Sequence, residues 1–151
     1  MALHLPNATD LIAKADCLAC AAHAGQVDKL GVPYIEHVRA VAQSVAHLGA
    51  EHVIVGLLHD SLEDCDDTTI VSRTILEAQF GPKVANAVDA LTKRDGQEYA
   101  TQYIAGVRAD PLACTVKRAD LAHNMGRLHL LPPDQRARLQ EKYASALLAL
   151  D

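Results

Sequence analysis

His59, Asp60, Glu63 and Asp64 share one short stretch, Val53–Asp64 (VIVGLLHDSLED), in which an apolar run ends in one imidazole and three carboxylates. Continued as a single helix, the four ionisable side chains fall within an arc of about 140°, and Ile54, Val55, Leu57, Leu58 and Leu62 take the remaining arc. On a generic amphipathic helix such an arc is a solvated face. Here the carboxylates crowd the C-terminal half of the helix, where the macrodipole favours cations instead. A bound cation relieves that repulsion, and a neighbouring imidazole and carboxylate are suitable donors to a divalent metal.

Two ligands do not make a site, so the others must come from elsewhere in the chain. His37 opens the second predicted helix after Pro33-Tyr34, a position where a histidine often serves packing alone. Asp120 interrupts an apolar stripe between Val116 and His123-Asn124. A carboxylate in such a stripe is expected to be paired or metal-bound. These residues come from three helices, as in bundles that assemble metal sites in their cores.

The elements that must position them are helical nearly throughout. Leu11, Ala15, Leu18 and Ala22 mark a first helix, with Asn7 or Thr9 as its cap and Gly25 as its stop. Ile35, Val38, Ala42 and Val45 mark a second that ends near Gly49. A third runs from about Glu51 through the His59–Asp64 motif, and a fourth is capped within Cys65–Thr69 and carried by Ile70, Val71, Ile75 and Leu76. Pro82 opens a fifth. Tyr99, Tyr103 and Val107 suggest a sixth, Asp110-Pro111 caps a seventh that reaches Asn124, and Gln135–Leu150 forms the last. No strand alternation, repeat or linker interrupts this pattern, so the expectation is one all-α domain over residues 1–151.

Composition agrees and excludes several classes. Half of the 151 residues are hydrophobic, but Trp is absent and Phe occurs once, so Ala, Leu and Val must fill the core. The net charge of −5, without a basic arm, argues against a nucleic-acid polymer as partner. No signal peptide is recognisable in MALHLPNATD, and no apolar run approaches about 18 residues, so neither secretion nor a membrane is expected and the location is read as cytoplasmic. Cys17-x-x-Cys20 lacks a second pair and lies in a helical segment, which suits packing better than a zinc site.

Taken together, AAHAGQ, PYIEHVRAVA, GLLHDSLEDCDDTT, FGPKVANAVDALTK and VKRADLAHNM resemble the HD-domain phosphohydrolases. In particular they are similar to the RelA/SpoT hydrolase domain and the stand-alone small alarmone hydrolases of the metazoan SpoT homologue type. The resemblance spans roughly residues 10 to 130, in order. It implies an HD-type helical bundle holding one divalent ion, commonly Mn2+, on His37, His59, Asp60 and Asp120. It further implies that Glu63 and Asp64 activate or position the attacking water, and that Lys29, Tyr34 and Asn124 lie near a small nucleotide. The implied reaction removes pyrophosphate from the ribose 3′ position of guanosine alarmones such as ppGpp. Asp28, however, stands where the family carries an arginine that packs on guanine, which leaves the base open between (p)ppGpp and (p)ppApp. Alternatives from other classes are an HD-type nucleotidase releasing a single phosphate and a non-catalytic nucleotide-binding module. Lys93, Arg94, Lys117, Arg118 and Arg127 are expected mostly on solvated surface, and the oligomeric state is left open.

Overall fold

The computed structural model describes residues 6–151; residues 1–5, part of the segment read for a signal peptide, lie outside them. Among the described residues nine α-helices follow one another: α1 Ala8–Ala22, α2 Ile35–Ser44, α3 Ala50–Leu58, α4 Ser61–Asp64, α5 Arg73–Phe80, α6 Pro82–Leu91, α7 Ala105–Ala109, α8 Pro111–Gly126 and α9 Pro133–Leu150. A π-type segment, Tyr99–Ile104, leads directly into α7. Among the described residues the extended pairing is a single bridge between Val27 and Pro33. The fold is all-α.

Local chemistry sets the helix starts. Asn7 caps α1 by accepting from the Asp10 amide at 2.9 Å, and Asp10 reciprocates at the Asn7 amide. Asp110 accepts from the Ala113 amide at 3.0 Å, and Pro111 occupies the first turn of α8, where its missing N–H costs nothing.

The central element is α3. Ile54, Val55, Gly56, Leu57 and Leu58 are all buried, so from Ile54 onward this helix is apolar around its whole circumference, as a core helix must be. It packs against α1, α2, α6 and α8. Small residues bring it close to its neighbours. A Cβ placed on Gly56 would meet Ala42 Cα at 2.7 Å, so the α2–α3 crossing depends on glycine.

Several boundaries differ from the periodicity: the second helix, α2, ends at Ser44 and a separate short turn follows over Ala46–Leu48. The third helix stops at Leu58 instead of running through the charged motif. His59 Nδ1 donates to Gly56 O and Ser61 Oγ donates to Leu58 O, each at 2.7 Å, so side chains satisfy carbonyls near the end of α3. Asp60 leaves helical geometry at φ −103°, ψ 1°, and α4 restarts at once. The fourth predicted helix, α5, starts later than expected because Ser72 is its cap, accepting from the Ile75 amide at 3.2 Å. Asp67, upstream, instead closes a turn on the Thr69 amide.

Candidate metal centre

His37 enters from the first turn of α2, His59 and Asp60 from the α3–α4 break, and Asp120 from the middle of α8. One donor atom from each lies within 4.8 Å of the others, and this group could hold a metal ion. His37 Nε2 is 2.9 Å from Asp120 Oδ1, and His59 Nε2 is 3.0 Å from Asp60 Oδ2 and 3.5 Å from Asp120 Oδ1. His59, His37 and Asp120 are only 1%, 4% and 5% exposed, so these groups are sequestered from water as mobile counter-charge.

The donor set fits a divalent cation. Because a carbonyl only accepts, His59 Nδ1 carries the proton it donates to Gly56 O, which leaves Nε2 to face the carboxylates. That nitrogen is buried and makes no hydrogen bond. Without another cation, a proton takes its place. Burial pushes the His59 pKa down, but Asp60 and Asp120 outweigh it and hold it well above the usual histidine range. Burial pushes Asp60 up, yet the His59 charge and the Tyr34 hydroxyl bring it down to about 2. The cluster demands positive charge.

Residues around the cluster fix its geometry. His37 Nδ1 and His123 Nδ1 are 2.7 Å apart, so one donates to the other. With His37 Nε2 turned to the cluster as a lone-pair donor, His37 Nδ1–H donates and His123 accepts. Burial, with His37 and Arg127 nearby, pushes the His123 pKa down and keeps that ring neutral. Tyr34 Oη donates to Asp60 Oδ2 at 2.6 Å, and Asn124 Nδ2 donates to Asp120 Oδ1 at 3.3 Å. His123 was not identified from sequence as a site residue, although its position three residues after Asp120 puts both on one helix face.

Lys117 departs from the surface role expected of it. Its side chain is largely shielded, with the ammonium 2.9 Å from Asp120 Oδ2 and 5.3 Å from the centre of the Tyr103 ring. Burial pushes its pKa down, but Asp120 and the two tyrosines Tyr103 and Tyr99 outweigh it, so it stays charged. Arg94 and Lys93 keep exposed positions, and Arg118, partly exposed, pairs with Asp151.

Glu63 and Asp64 occupy different environments. Glu63 is exposed and accepts from the Lys93 amide at 2.7 Å. Asp64 is half-buried, and burial together with the charges of Asp60 and Glu63 pushes its carboxyl up to about 7. Its backbone is held by Gln26, whose Nε2 donates to Asp64 O at 3.1 Å while its Oε1 accepts from His23 Nδ1 at 2.7 Å. His23 and Gln26, in the HAGQ segment that follows α1, thus support Asp64.

Beside the cluster lies a cavity of about 340 Å³, with Lys29, Tyr34 and Asn124 in its wall. Asp28 also lines it, with both carboxylate oxygens engaged in pairing. Its Oδ2 accepts from Arg127 Nη2 at 2.7 Å, and its Oδ1 accepts from the Leu30 and Val32 amides at 2.8 and 3.0 Å. Burial pushes Asp28 up, but Arg127 and these amides hold it below the usual carboxylate range. Arg127 likewise belongs to the cavity wall rather than to a solvated surface.

Residues 15–145 match the family model described as an HD domain. The chain belongs to the HD-domain family. Its relatives include a guanosine-3′,5′-bis(diphosphate) 3′-pyrophosphohydrolase of Haemophilus influenzae, 39% identical over 80% of this chain and 19% of that protein. A probable GTP pyrophosphokinase of Mycobacterium leprae is 36% identical over 77% of this chain and 16% of its own length. The HD chain therefore spans about a fifth or less of the length of these curated relatives. Among solved structures, a metazoan orthologue of SpoT described as hydrolysing ppGpp superposes with a TM-score of 0.79 at 22% identity, over 98% of this chain and 88% of that one. That likeness establishes the shared HD fold.

Proposed function

We propose that this chain is a metal-dependent 3′-pyrophosphohydrolase of (p)ppGpp-like alarmone nucleotides, with residues 1–151 acting as one HD-type hydrolase domain in the cytoplasm. His37, His59, Asp60 and Asp120 would hold one divalent ion, Mn2+ in this proposal. When bound, such an ion supplies Lewis-acid polarisation of a phosphoryl oxygen and makes a water acidic enough to serve as nucleophile near neutral pH. The observation that carries the reading is the convergence of these four donors, three of them buried, around an imidazole nitrogen left without a hydrogen bond. The relatives named as 3′-pyrophosphohydrolases support the reaction class.

The chain's own residues then divide the proton work. Glu63 is assigned as the general base that takes the proton of the attacking water. Asp64 orients that water and returns a proton to the leaving 3′-oxygen; its carboxyl, pushed up to about 7, is suited to exchanging protons at neutral pH. Water oxygen bonds to the phosphorus next to the ribose, the P–O3′ bond breaks, and pyrophosphate leaves a 3′-hydroxyl. Tyr34 and Asn124 hold Asp60 and Asp120 from the nucleotide side, and Lys29 offers a cation to the phosphates. The ligand is a small nucleotide; no nucleic-acid polymer or membrane is part of the proposal.

A hydrolysis panel tests it. Purified protein with Mn2+ is incubated with ppGpp, ppApp and 3′-phosphonucleotides, with and without EDTA. Turnover of an alarmone that chelation abolishes and Mn2+ restores is expected. No turnover of any member would refute the reading and favour a binding module.

A further inference from the structure

The cavity beside the cluster shares two residues with it: Tyr34 binds Asp60 and Asn124 binds Asp120. A nucleotide with its 3′-phosphates at the cluster therefore has its base within reach of this cavity. Leu30, Leu128, Leu131 and Tyr143 give the cavity apolar walls that suit a flat heteroaromatic ring. The remaining question is what reads the ring's edge.

The Asp28–Arg127 pair answers it by what each partner still has free. Asp28 has spent both oxygens: Oδ1 on the Leu30 and Val32 amides, Oδ2 on Arg127. Three of its roughly four acceptor positions are therefore taken. Arg127 has spent Nη2 on Asp28, and its other guanidinium N–H groups make no protein hydrogen bond among the described residues. The pair thus presents donors to the cavity. It presents them rigidly, because Asp28 is itself pinned by a turn in which its amide donates to Val32 O at 2.8 Å.

Resting on the hydrolase reading above, we propose that Arg127, anchored by Asp28, is the specificity-determining residue for the base and selects a 6-oxopurine over adenine. A 6-oxopurine shows two adjacent acceptors, O6 and N7, which match an arginine fork. Adenine shows N7 beside an N6 amino group, so one donor of the fork would face another donor. The anion at position 28 thereby does not repel the nucleotide; it orients the cation that recognises it.

GDP and ADP carry the two bases without a 3′-pyrophosphate, so calorimetry reads base preference without turnover. Wild-type protein is expected to bind GDP at least about tenfold more tightly than ADP, the discrimination typical of a bidentate arginine contact. Arg127→Gln should bring the ratio near one, mainly through weaker GDP binding. Arg127→Lys, which keeps the charge and a partner for Asp28 but loses the fork, should do the same and guards against a folding defect in the first variant. Asp28→Asn, which releases the fork, should lower the ratio too. Equal affinities in wild type, or equal losses for both nucleotides in Arg127→Lys, would overturn the proposal, the latter by showing a phosphate contact. An inactive protein that still prefers GDP would refute the hydrolase reading and sustain this one; an active protein with equal affinities would do the reverse.

Discussion

At the residue scale, the site is a competition between burial and charge. Burial alone would discharge His59, Asp60, Asp120 and Lys117, and each keeps its charge only because the others are there. The ligand candidates are legible in sequence because ionisable residues interrupt apolar stripes at Asp120 and after Leu58. The supporting residues are less legible. Arg127 meets Asp28 across 99 positions, and no local pattern announces such a pairing. Two predictions belong here. Glu63→Gln should retain its bound metal, measured by elemental analysis, while kcat falls about 10²- to 10⁴-fold, the usual contribution of a general base; a loss of twofold or less would remove Glu63 from that role. His123→Leu should weaken Mn2+ binding about 10- to 100-fold by removing the acceptor for His37 Nδ1–H. His123→Asn, which restores an acceptor, should recover much of it, and equal losses in both variants would mean that His123 only fills space.

At the element scale, the helix break at His59-Asp60 is what aims the ligands. Periodicity ran straight through it because the apolar and charged positions continue on the right faces. The break comes from side-chain bonds to Gly56 O and Leu58 O, which compete with helix propagation and which hydrophobic spacing does not encode. The α2–α3 contact matters equally, since it fixes His37 against His59. Gly56→Ala should therefore push these helices apart, costing about 1–3 kcal/mol of stability by overpacking. A matching drop in Tm, with weaker Mn2+ binding in calorimetry, is expected; an unchanged Tm would show that the contact is soft. The loop after α1 is anchored by Asp28, whose folded pKa lies below its ordinary value of 3.8. Its contribution is therefore complete above the unfolded value near 4 and fades as pH falls through the lower folded value. The Tm gap between wild type and Asp28→Asn should be constant from pH 7 to 5 and shrink below about pH 4. A gap that persists undiminished at pH 2.5 would assign the effect to packing instead.

At the scale of the whole molecule, an acidic chain with net charge −5 gathers cations locally around the cavity beside the cluster. Lys29 and Arg127 line that cavity, and Lys117 stands behind Asp120. Net charge set a bound on polymer partners but said nothing of this local arrangement, which arises when α8 and the loop after α1 pack together. The all-α class was legible because nearly every segment carries helical period and no segment carries strand alternation. Among the described residues no helix is long and apolar enough to cross a membrane. The proposed reaction of this bundle is cleavage of the P–O3′ bond of an alarmone. Anion-exchange chromatography of ppGpp incubated with the protein and Mn2+ measures that directly. The predicted result is GDP and pyrophosphate in equal amounts; orthophosphate as the released product, or unaltered ppGpp, would contradict it.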